Sequence, residues 1–443
     1  MTQQTNQYWT NKSVRLDSKG KDPIEKIEKN AREYILTAFE KGWTGPPYDP
    51  IKLAELNRIN VVPNANIKDA QTVAKPNNKF VIEFNPNRSR GRIRFSIAHE
   101  IVHTFFPDCA EELRERHGSS EADDNWQLEM LCNIGAAELT MPIGSMQSEI
   151  VDNPTIHELL NLRKELDVST EALLIRATKL SNMPTAVFAA SRIDQPDGSA
   201  KYQIDYTIQS KSWPHTDFRN KTIKSDILDE CTAIGYTVEG TETWQQIKLD
   251  IGCVGLPPYP GTTYPRIAGI LNSHSKGRLK KKHIRFHEGD ASEPGGGGIR
   301  IITHIVNDKT PNWGGGGFAN ALKRRHPFAQ KDFRDWIVKD RSNLELGKHL
   351  LTKLNESTFV FSMIAQRGYG NSSSPRIRYQ ALEKCLFALG KIAAEMKASL
   401  HMPRIGTGNA RGDWNVIQEL IDEYICANKV EVNVYDYGEF LKY

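Results

Sequence analysis

The stretch Arg94–His103 (RFSIAHEIVH) decides how the first part of this 443-residue chain is interpreted. It ends in the pattern His-Glu-x-x-His, and its apolar residues predict a buried helix over Phe95–Phe106. Positions i and i+4 of a helix share one face, about 6 Å apart along the axis. The imidazole rings of His99 and His103 can therefore bind one zinc ion, and Glu100 can take a proton from a metal-bound water.

A catalytic zinc also needs a third protein ligand and one open position, and Glu129 is the candidate for that ligand. It follows His103 by 26 residues and opens the next apolar helical segment, predicted over Gln127–Met141. An antiparallel helix at that separation can bring a carboxylate to the metal. The alternative is a buried helix whose two histidines only make hydrogen bonds, because His-Glu-x-x-His also arises by chance. The third ligand and the apolar surroundings favour a zinc peptidase.

The composition indicates a soluble protein of two or three domains. Apolar residues make up 39% of the chain and charged residues 25%, and the net charge of +4 gives no strong case for a nucleic-acid or membrane partner. The six widely spaced cysteines form no Cys-x-x-Cys pair, which predicts reduced thiols. The amino-terminal residues lack an apolar signal core, and no apolar run is long enough to span a membrane. We expect a cytoplasmic protein.

Four segments are predicted along the chain. They are a polar tail (1–22), a mostly helical domain (23–183), a small β-rich or α+β module (184–275) and an α/β domain (276–443) in which strands alternate with helices. The expected fold class is multidomain α+β and α/β, with a helical zincin-like first domain and a three-layer α/β/α last domain. The middle module shows no recognisable chemistry.

Several local patterns predict individual elements. Lys79–Phe84 alternates like a strand, and Asp22 followed by Pro23 is typical of the start of a helix. Ser169 occupies a position suited to a helix N-cap. In the last segment, Ile299–Val306 and Phe359–Ala365 are predicted strands.

Two glycine-rich turns of the last segment each lie between a predicted strand and a predicted helix. They are Trp313–Phe318 (WGGGGF) and Arg404–Gly408 (RIGTG). Glycine lets backbone N–H groups approach an anion, and a helix N-terminus adds a favourable partial charge. Two such loops at the carboxyl ends of neighbouring strands could hold a diphosphate, whereas the alternative is two ordinary tight turns. A third run, Gly295–Gly298, precedes its strand and is interpreted as a simple loop.

The first domain resembles the ImmA/IrrE metallopeptidases over about residues 25–180. The motifs that carry the resemblance are Arg94–His103 and Glu129–Pro142 (EMLCNIGAAELTMP), in that order. The resemblance implies that Glu129 is the third metal ligand. It also implies limited cleavage of a protein, often a transcriptional repressor.

Residues from about 283 onward resemble a macro domain, closest to the branch of the terminal ADP-ribose glycohydrolase and the DarG antitoxins. The segments that carry this resemblance are Gly289-Asp290, His304–Asn307, Gly314–Phe318, Met402–Gly408 and Trp414. The resemblance implies that Asp290 contacts adenine and that Asn307 lies near the distal ribose of ADP-ribose. It assigns the diphosphate and the distal ribose to the glycine loops, that is, to Gly315, Gly316, Gly317, Phe318, Ile405, Gly406, Thr407 and Gly408.

Four positions depart from these two family patterns. Cys132 stands where the metallopeptidases often have Ala, and Gly135 where they often have Phe. Hydrolases of the macro-domain branch use a Lys after the central strand and an Asp after the second glycine loop, but Gln366 and Ala410 take these places here. A neutral amide and a methyl group cannot replace a nucleophilic amine and a carboxylate base, so we expect binding rather than hydrolysis.

Three functions compete on this basis. The first is a zinc-dependent endopeptidase that makes limited cuts in a protein partner, such as a repressor or a toxin-system protein, with a macro domain that binds ADP-ribose or an ADP-ribosylated macromolecule and regulates cleavage. The second is an ADP-ribosyl hydrolase or antitoxin, with Asp413 or Arg411 supplying the chemistry. The third is a non-catalytic ADP-ribose-binding adaptor. The complete peptidase motif favours the first, and stress response, toxin control or phage defence would suit such a fusion.

Overall fold

The computed structural model describes residues 9–76, 79–111, 125–146, 152, 154–215, 217–231, 233–258, 263–273, 284–314, 316–370 and 372–436. The chain divides into two compact units. The first unit comprises Met1–Glu28, Gly45–Pro142 and Met146–Lys280, and the second comprises Lys29–Thr44, Ile143–Ser145 and Lys281–Tyr443. The predicted multidomain class of helices and mixed sheets is confirmed. No helix within the described ranges has the length and apolarity needed to cross a membrane.

Seven helices precede the middle sheet in the described part of the chain. They are α1 (Lys12–Ser18), α2 (Pro23–Glu40), α3 (Pro50–Leu56), α4 (Arg90–His103), α5 (Asn125–Thr140), α6 (Ile156–Leu166) and α7 (Thr170–Leu180). The predicted caps are present, because Asp22 Oδ1 accepts a hydrogen bond from the Ile24 N–H at 2.8 Å and Ser169 Oγ accepts one from the Ala172 N–H at 3.2 Å. Both caps satisfy backbone donors that have no partner inside their helix.

A three-stranded sheet packs against α4. Its strands are β1 (Asn60–Pro63), β2 (Ala70–Lys75) and β3 (Lys79–Phe84), in the order β1-β3-β2. The predicted strand Lys79–Phe84 is confirmed as the central one, parallel to β1 and antiparallel to β2. Both β2 and β3 contact α4. The sheet therefore brings side chains of β2 next to the helix that carries the His-Glu-x-x-His pattern.

The middle sheet is antiparallel throughout. Its elements are β4 (Thr185–Asp194), β5 (Ala200–Gln209), β6 (Thr222–Ile223), helix α8 (Asp226–Glu230), β7 (Thr237–Trp244), β8 (Ile247–Leu256) and β9 (Arg266–Ser273), with strand order β6-β5-β4-β9-β8-β7. Its core includes Trp244, whose ring meets Phe188 and Phe218 edge-on at centroid distances of 5.3 and 5.8 Å. This sheet belongs to the first compact unit. The boundaries of the four predicted segments stay a prediction.

The second unit is built on a six-stranded mixed sheet. Its elements are β10 (Ile284–Glu288), β11 (Arg300–Asn307), α9 (Gly317–Arg325), α10 (Pro327–Lys339), β12 (His349–Lys353), β13 (Thr358–Gln366), α11 (Tyr379–Met396), β14 (Ser399–Pro403), α12 (Trp414–Tyr424) and β15 (Val432–Asp436). The strand order is β10-β15-β14-β11-β13-β12. Every pair is parallel except β12 with β13, and β12 is an edge strand that the sequence patterns did not indicate. Strands therefore alternate with helices as predicted.

Candidate functional site

Helix α4 carries three of the predicted site residues and is anchored at its polar first turns. It begins five residues before the predicted start, because Arg92 pairs with Asp69 through two contacts of 2.6 and 2.7 Å and thereby extends the helix into polar sequence. The guanidinium of Arg94 is buried and donates to the Tyr48 carbonyl at 2.6 Å. The helix ends at His103 rather than at Phe106. The helix is therefore anchored at its amino-terminal turns, before the segment that carries His99, Glu100 and His103.

The donor atoms of His99, His103 and Glu129 converge on one point. The two Nε2 atoms are 3.1 Å apart, and Glu129 Oε2 lies 3.1 Å from His99 Nε2. Glu129 Oε1 lies 3.6 Å from His103 Nε2. Ligand atoms about 2.1 Å from a tetrahedral zinc ion are about 3.4 Å from one another, so the three spacings fit a metal of that size.

A second polar contact orients the His99 ring. His99 Nδ1 lies 3.0 Å from Asn133 Oδ1, which suits an Nδ1–H donor and leaves the Nε2 lone pair for the other ligands. Burial alone would lower the pKa of His99, but the hydrogen bond with Glu129 and the negative charges of Glu100 and Glu129 outweigh it and raise that pKa. The raised pKa of His99 therefore reflects negative charge that is held close to the imidazole rings. The role of Asn133 was missed in the sequence, where it stands four residues after Glu129.

Glu100 is held beside this cluster by β2. Its Oε2 accepts a hydrogen bond from Thr72 Oγ1 at 2.7 Å, and the same hydroxyl lies 3.2 Å from the Glu100 carbonyl oxygen. Burial raises the pKa of Glu100, while the hydrogen bond from Thr72 opposes that rise. A carboxylate whose pKa is moved upward is a better proton acceptor near neutral pH. The sequence carried no signal for Thr72, which is 28 residues from Glu100 along the chain.

A fourth donor lies at the same cluster. Among the described residues, His99, His103 and Cys132 form a group whose ligand atoms all lie within 4.8 Å of one another. Cys132 is fully buried and stands three residues after Glu129 on α5. The two histidines could therefore hold a metal with Glu129, whose carboxylate contacts both rings, and Cys132 has its sulfur within 4.8 Å of a ring nitrogen of each histidine. The donor set of nitrogen, oxygen and sulfur is one that zinc accepts.

The first glycine loop leads into helix α9. Gly316 is the N-cap of the helix, and Gly317 has φ of +58°, a left-handed conformation that favours glycine. The predicted ligand-binding residue Gly315 lies outside the described residues. Phe318 is partly buried and packs against the core cluster around Phe333. The loop thus ends in backbone N–H groups at a helix N-terminus, as an anion site requires.

The second glycine loop closes on itself. Gly406 has φ of +77°, and a Cβ at this position would come within 3.0 to 3.3 Å of three isoleucine side chains, so only glycine fits without strain. The Gly412 N–H donates to the Gly406 carbonyl at 2.8 Å, and Thr407 Oγ1 donates to the Arg404 carbonyl at 2.8 Å. Ile405 is buried beneath the loop, and Gly408 has open space around it.

The two glycine loops follow neighbouring strands. Strand β11 pairs in parallel with β14, and each loop comes after the carboxyl end of one of them. Ligands of parallel α/β sheets bind at that edge, outside the carboxyl ends of the strands. The topology therefore brings together the two loops that the sequence indicated.

Asp290 and Asn307 are engaged with their own surroundings. Asp290 Oδ1 accepts from the Ser292 N–H at 2.8 Å, and its Oδ2 pairs with Arg325 at 2.9 Å. Asn307 Oδ1 accepts from the N–H groups of Lys309 and Thr310 at 2.9 and 3.0 Å. Both side chains shape the turns at this edge of the sheet. Their contacts with adenine and ribose stay predictions.

The residues of the second unit that could take part in hydrolysis are also hydrogen-bonded to neighbouring groups of the chain. Gln366 Nε2 donates to the Gly368 carbonyl at 2.8 Å, and Ala410 is buried with its carbonyl accepting two backbone N–H groups. Asp413 is the N-cap of α12, where it accepts from the Asn415 N–H at 2.8 Å. Arg411 donates to the Ser372 carbonyl at 2.6 Å. None of these four residues presents an amine or a carboxylate without a partner.

A comparison with known families matches part of the first unit. Residues 62–178 match the family model for Peptidase_M78, the IrrE N-terminal-like domain. The "Radiation response metalloprotease IrrE" of Deinococcus deserti is 32% identical over 30% of this chain and 48% of its own length. The matched residues include the complete cluster of histidines and carboxylates described above. Residues 62–178 are therefore similar to the IrrE N-terminal-like domain, in a chain that also has a second, α/β unit.

A second set of relatives matches another part of the chain. The macrodomain protein from Streptomyces coelicolor is 33% identical over 35% of this chain and 99% of its own length, with a TM-score of 0.31. The "Chromodomain-helicase-DNA-binding protein 1-like" of Danio rerio is 29% identical over 35% of this chain, which spans only 16% of that protein. Over residues 62–178 the chain is thus similar to the IrrE N-terminal-like domain, and another part of it is similar to macrodomain proteins. The chain spans 48% of the length of the Deinococcus deserti relative and 16% of the length of the Danio rerio relative.

Proposed function

We propose that this chain is a zinc-dependent endopeptidase that makes limited cuts in a protein partner. The observation that carries the proposal is the convergence of His99 Nε2, His103 Nε2 and the Glu129 carboxylate at 3.1 to 3.6 Å. Two neutral imidazoles and a carboxylate are a frequent ligand set of catalytic zinc. The match to the IrrE N-terminal-like domain supports the same chemistry.

The residues around the cluster divide the work of peptide hydrolysis. A bound zinc ion supplies Lewis acidity, which polarises a peptide carbonyl and lowers the pKa of a water molecule. Glu100 accepts the proton of the attacking water and can pass it to the leaving amine. Thr72 holds the Glu100 carboxylate in place through its 2.7 Å hydrogen bond. Asn133 orients the His99 ring and thereby keeps its Nε2 directed at the ion.

We further propose that the second unit binds ADP-ribose or an ADP-ribosylated partner. Two glycine loops at the carboxyl ends of neighbouring parallel strands suit a diphosphate, and the N-terminus of α9 adds a favourable dipole. The side chains of Gln366 and Ala410 favour binding over hydrolysis, because neither can act as a nucleophile or as a base. Binding of the nucleotide would then regulate cleavage if it favours the active state of the peptidase. A cytoplasmic setting in stress response or phage defence is part of this proposal.

The proposal is tested by metal content and proteolysis measured together. Wild-type protein, Glu100→Gln and the control Glu165→Gln, an exposed residue of α6, are purified and assayed for zinc. Each is then added to a lysate of the source cell, with and without ADP-ribose, and new protein termini are mapped by mass spectrometry. We expect one zinc ion per chain in all three proteins, with fragments from wild type and the control but not from Glu100→Gln.

The alternatives give different results in the same experiment. Wild-type protein that binds no zinc after zinc is supplied would contradict the peptidase. Release of ADP-ribose from modified protein by wild type and Glu100→Gln alike, without new termini, would instead assign the activity to the macrodomain region. Fragments that increase with ADP-ribose would support regulation by the second unit.

A further inference from the structure

We propose that the Cys132 thiolate is a fourth protein ligand of the metal, beside His99, His103 and Glu129. This inference rests on the proposed metal site and adds to it a resting state in which no coordination position is open. A catalytic zinc keeps one position for water or substrate, whereas a site with four protein ligands is closed. Cleavage by the wild-type peptidase would therefore be slowed, because the sulfur must first be displaced.

The first argument is the position of Cys132 on α5. Residues three apart on a helix lie on the same face, so Cys132 follows Glu129 toward α4. The sulfur and one ring nitrogen of each histidine all lie within 4.8 Å of one another. The residue is fully buried, so its thiol lies inside the protein at the cluster rather than at the surface.

The second argument is the close packing of α4 and α5 next to the cluster. A Cβ at Gly135 would come within 2.7 and 2.8 Å of the two methyl groups of Val102, so a larger residue would force the helices apart. Val102 directly precedes His103, and Gly135 is three residues after Cys132. The absence of a side chain at Gly135 therefore allows the approach that brings the sulfur within reach of both histidines. Cys132 and Gly135, which both depart from the family pattern, thus lie on one face of α5. Gly135 allows the close packing, and Cys132 supplies the sulfur.

The third argument is the chemistry of the donor set. Thiolate is a soft ligand that zinc accepts together with imidazole and carboxylate, and it disfavours magnesium or calcium. When the sulfur–metal bond forms, the Cys132 thiol loses its proton to solvent. Displacement of the sulfur by a water molecule, with return of the proton to the thiol, reopens the position that hydrolysis needs. We therefore expect Cys132→Ala to cleave faster than wild type while it binds zinc at least tenfold more weakly.

The test loads the full chain with cobalt(II) in place of zinc and records its near-ultraviolet and visible absorption. A cobalt–thiolate bond gives a charge-transfer band that nitrogen and oxygen ligands do not give. We expect the band in wild type and in Cys109→Ala, a buried cysteine of the same unit, and its loss in Cys132→Ala and Cys132→Ser. Bound cobalt is counted in every sample, so loss of the band is distinguished from loss of the metal.

X-ray absorption of zinc-loaded wild type gives a second readout that needs no variant. One sulfur neighbour at about 2.3 Å would support the inference, and a shell of nitrogen and oxygen alone would overturn it. Cobalt bound at one ion per chain without the charge-transfer band, or with a band that survives in Cys132→Ala, would also overturn it. In these outcomes the proposed peptidase still stands. A chain that binds neither metal would overturn both proposals.

Discussion

The cluster of histidines and carboxylates in the first unit and the glycine loops of the second unit differ in which of their polar atoms are left to face a ligand. At the cluster, side-chain donors from α4 and α5 face one another at 3.1 to 3.6 Å. Near the loops, Asn307 and Thr407 hydrogen-bond within their own turns, and Asp290 bonds to its own turn and to Arg325 of α9. Side-chain donors thus face one another in one region, whereas backbone N–H groups at the N-terminus of α9 lie in the other.

This difference is the one expected between the proposed peptidase site and the proposed nucleotide-binding site. Acid–base catalysis and metal binding need side chains that converge on one point. The proposed recognition of a diphosphate needs backbone that can approach the anion closely, which glycine allows. Each of the following predictions strengthens or removes this contrast.

The largest effect is expected from loss of a predicted metal ligand. His103→Ala removes one of three converging donors, so we expect zinc affinity to fall at least a hundredfold and proteolysis to become undetectable. Metal content and cleavage are measured on the same sample. The control is His157→Ala, an exposed histidine of α6, which should retain both properties. Full zinc occupancy in His103→Ala would show that His103 is not needed to bind the metal, and the cluster would then no longer differ from the glycine loops as a site of chemistry.

Lowering the pH should reduce the stability of the second unit, because His304 is buried in its core in the neutral form. Burial lowers the pKa of His304 to about 3, whereas an unfolded histidine has a pKa of about 6.5. Between these values the unfolded chain binds a proton that the native state does not, so stability falls as pH falls. From pH 6.5 to 5 the expected loss is about 2 kcal/mol from this histidine alone.

Hydrogen exchange in β11 and β13, corrected for the intrinsic effect of pH, measures this loss. The His304 ring lies 2.8 Å from Ser362 Oγ and contacts the ring of Trp313, so His304→Gln will also change the absolute stability. The informative quantity is the slope with pH, which should flatten by about one proton in the variant. An unchanged slope would mean that His304 is not the titrating group.

A methyl group at Gly406, in the second glycine loop, should be enough to weaken binding of ADP-ribose. Gly406→Ala places a methyl group in a left-handed conformation, which costs about 1 to 2 kcal/mol, and 3.0 to 3.3 Å from three isoleucines. We expect affinity for ADP-ribose to fall about tenfold, measured by calorimetry, with zinc content unchanged. Gly198→Ala is the matched control, because it has φ of +80° in a loop of the first unit with open space around it. Equal loss of binding in both variants would show a general effect on stability.

The smallest effect is expected from the residue that supports the base. Thr72→Val keeps the shape of the side chain but removes the 2.7 Å hydrogen bond to Glu100, so we expect less than about a tenfold fall in kcat. Zinc content should not change, because Thr72 contacts the base and none of the ligands. Thr241→Val, which removes an exposed hydroxyl bonded to Asp250, should leave kcat unaltered. A change in KM alone would argue against a positioning role for Thr72.

Several elements predicted from local patterns lie within a few residues of their observed bounds, because their physical causes are local. The alternation of Lys79–Phe84, the cap at Ser169 and the helix over Gln127–Met141 each depend on neighbouring residues. The start of α4 was missed by five residues, since the contact of Arg92 with Asp69 comes from a distant part of the chain. The edge strand β12 was missed because its five residues are stabilised by pairing with β13.

The spacing of His99, Glu100 and His103 on one helix was determined by the sequence itself, since helical geometry requires no other part of the chain. The choice of Glu129 also came from the sequence, through order and resemblance. Only the tertiary structure decided which distant groups surround them, because Thr72, Asn133 and Cys132 reach the cluster through packing of β2 and α5 on α4. Parallel pairing of β11 with β14 likewise juxtaposes the glycine loops, since contacts between distant segments depend on the whole fold and not on local preference.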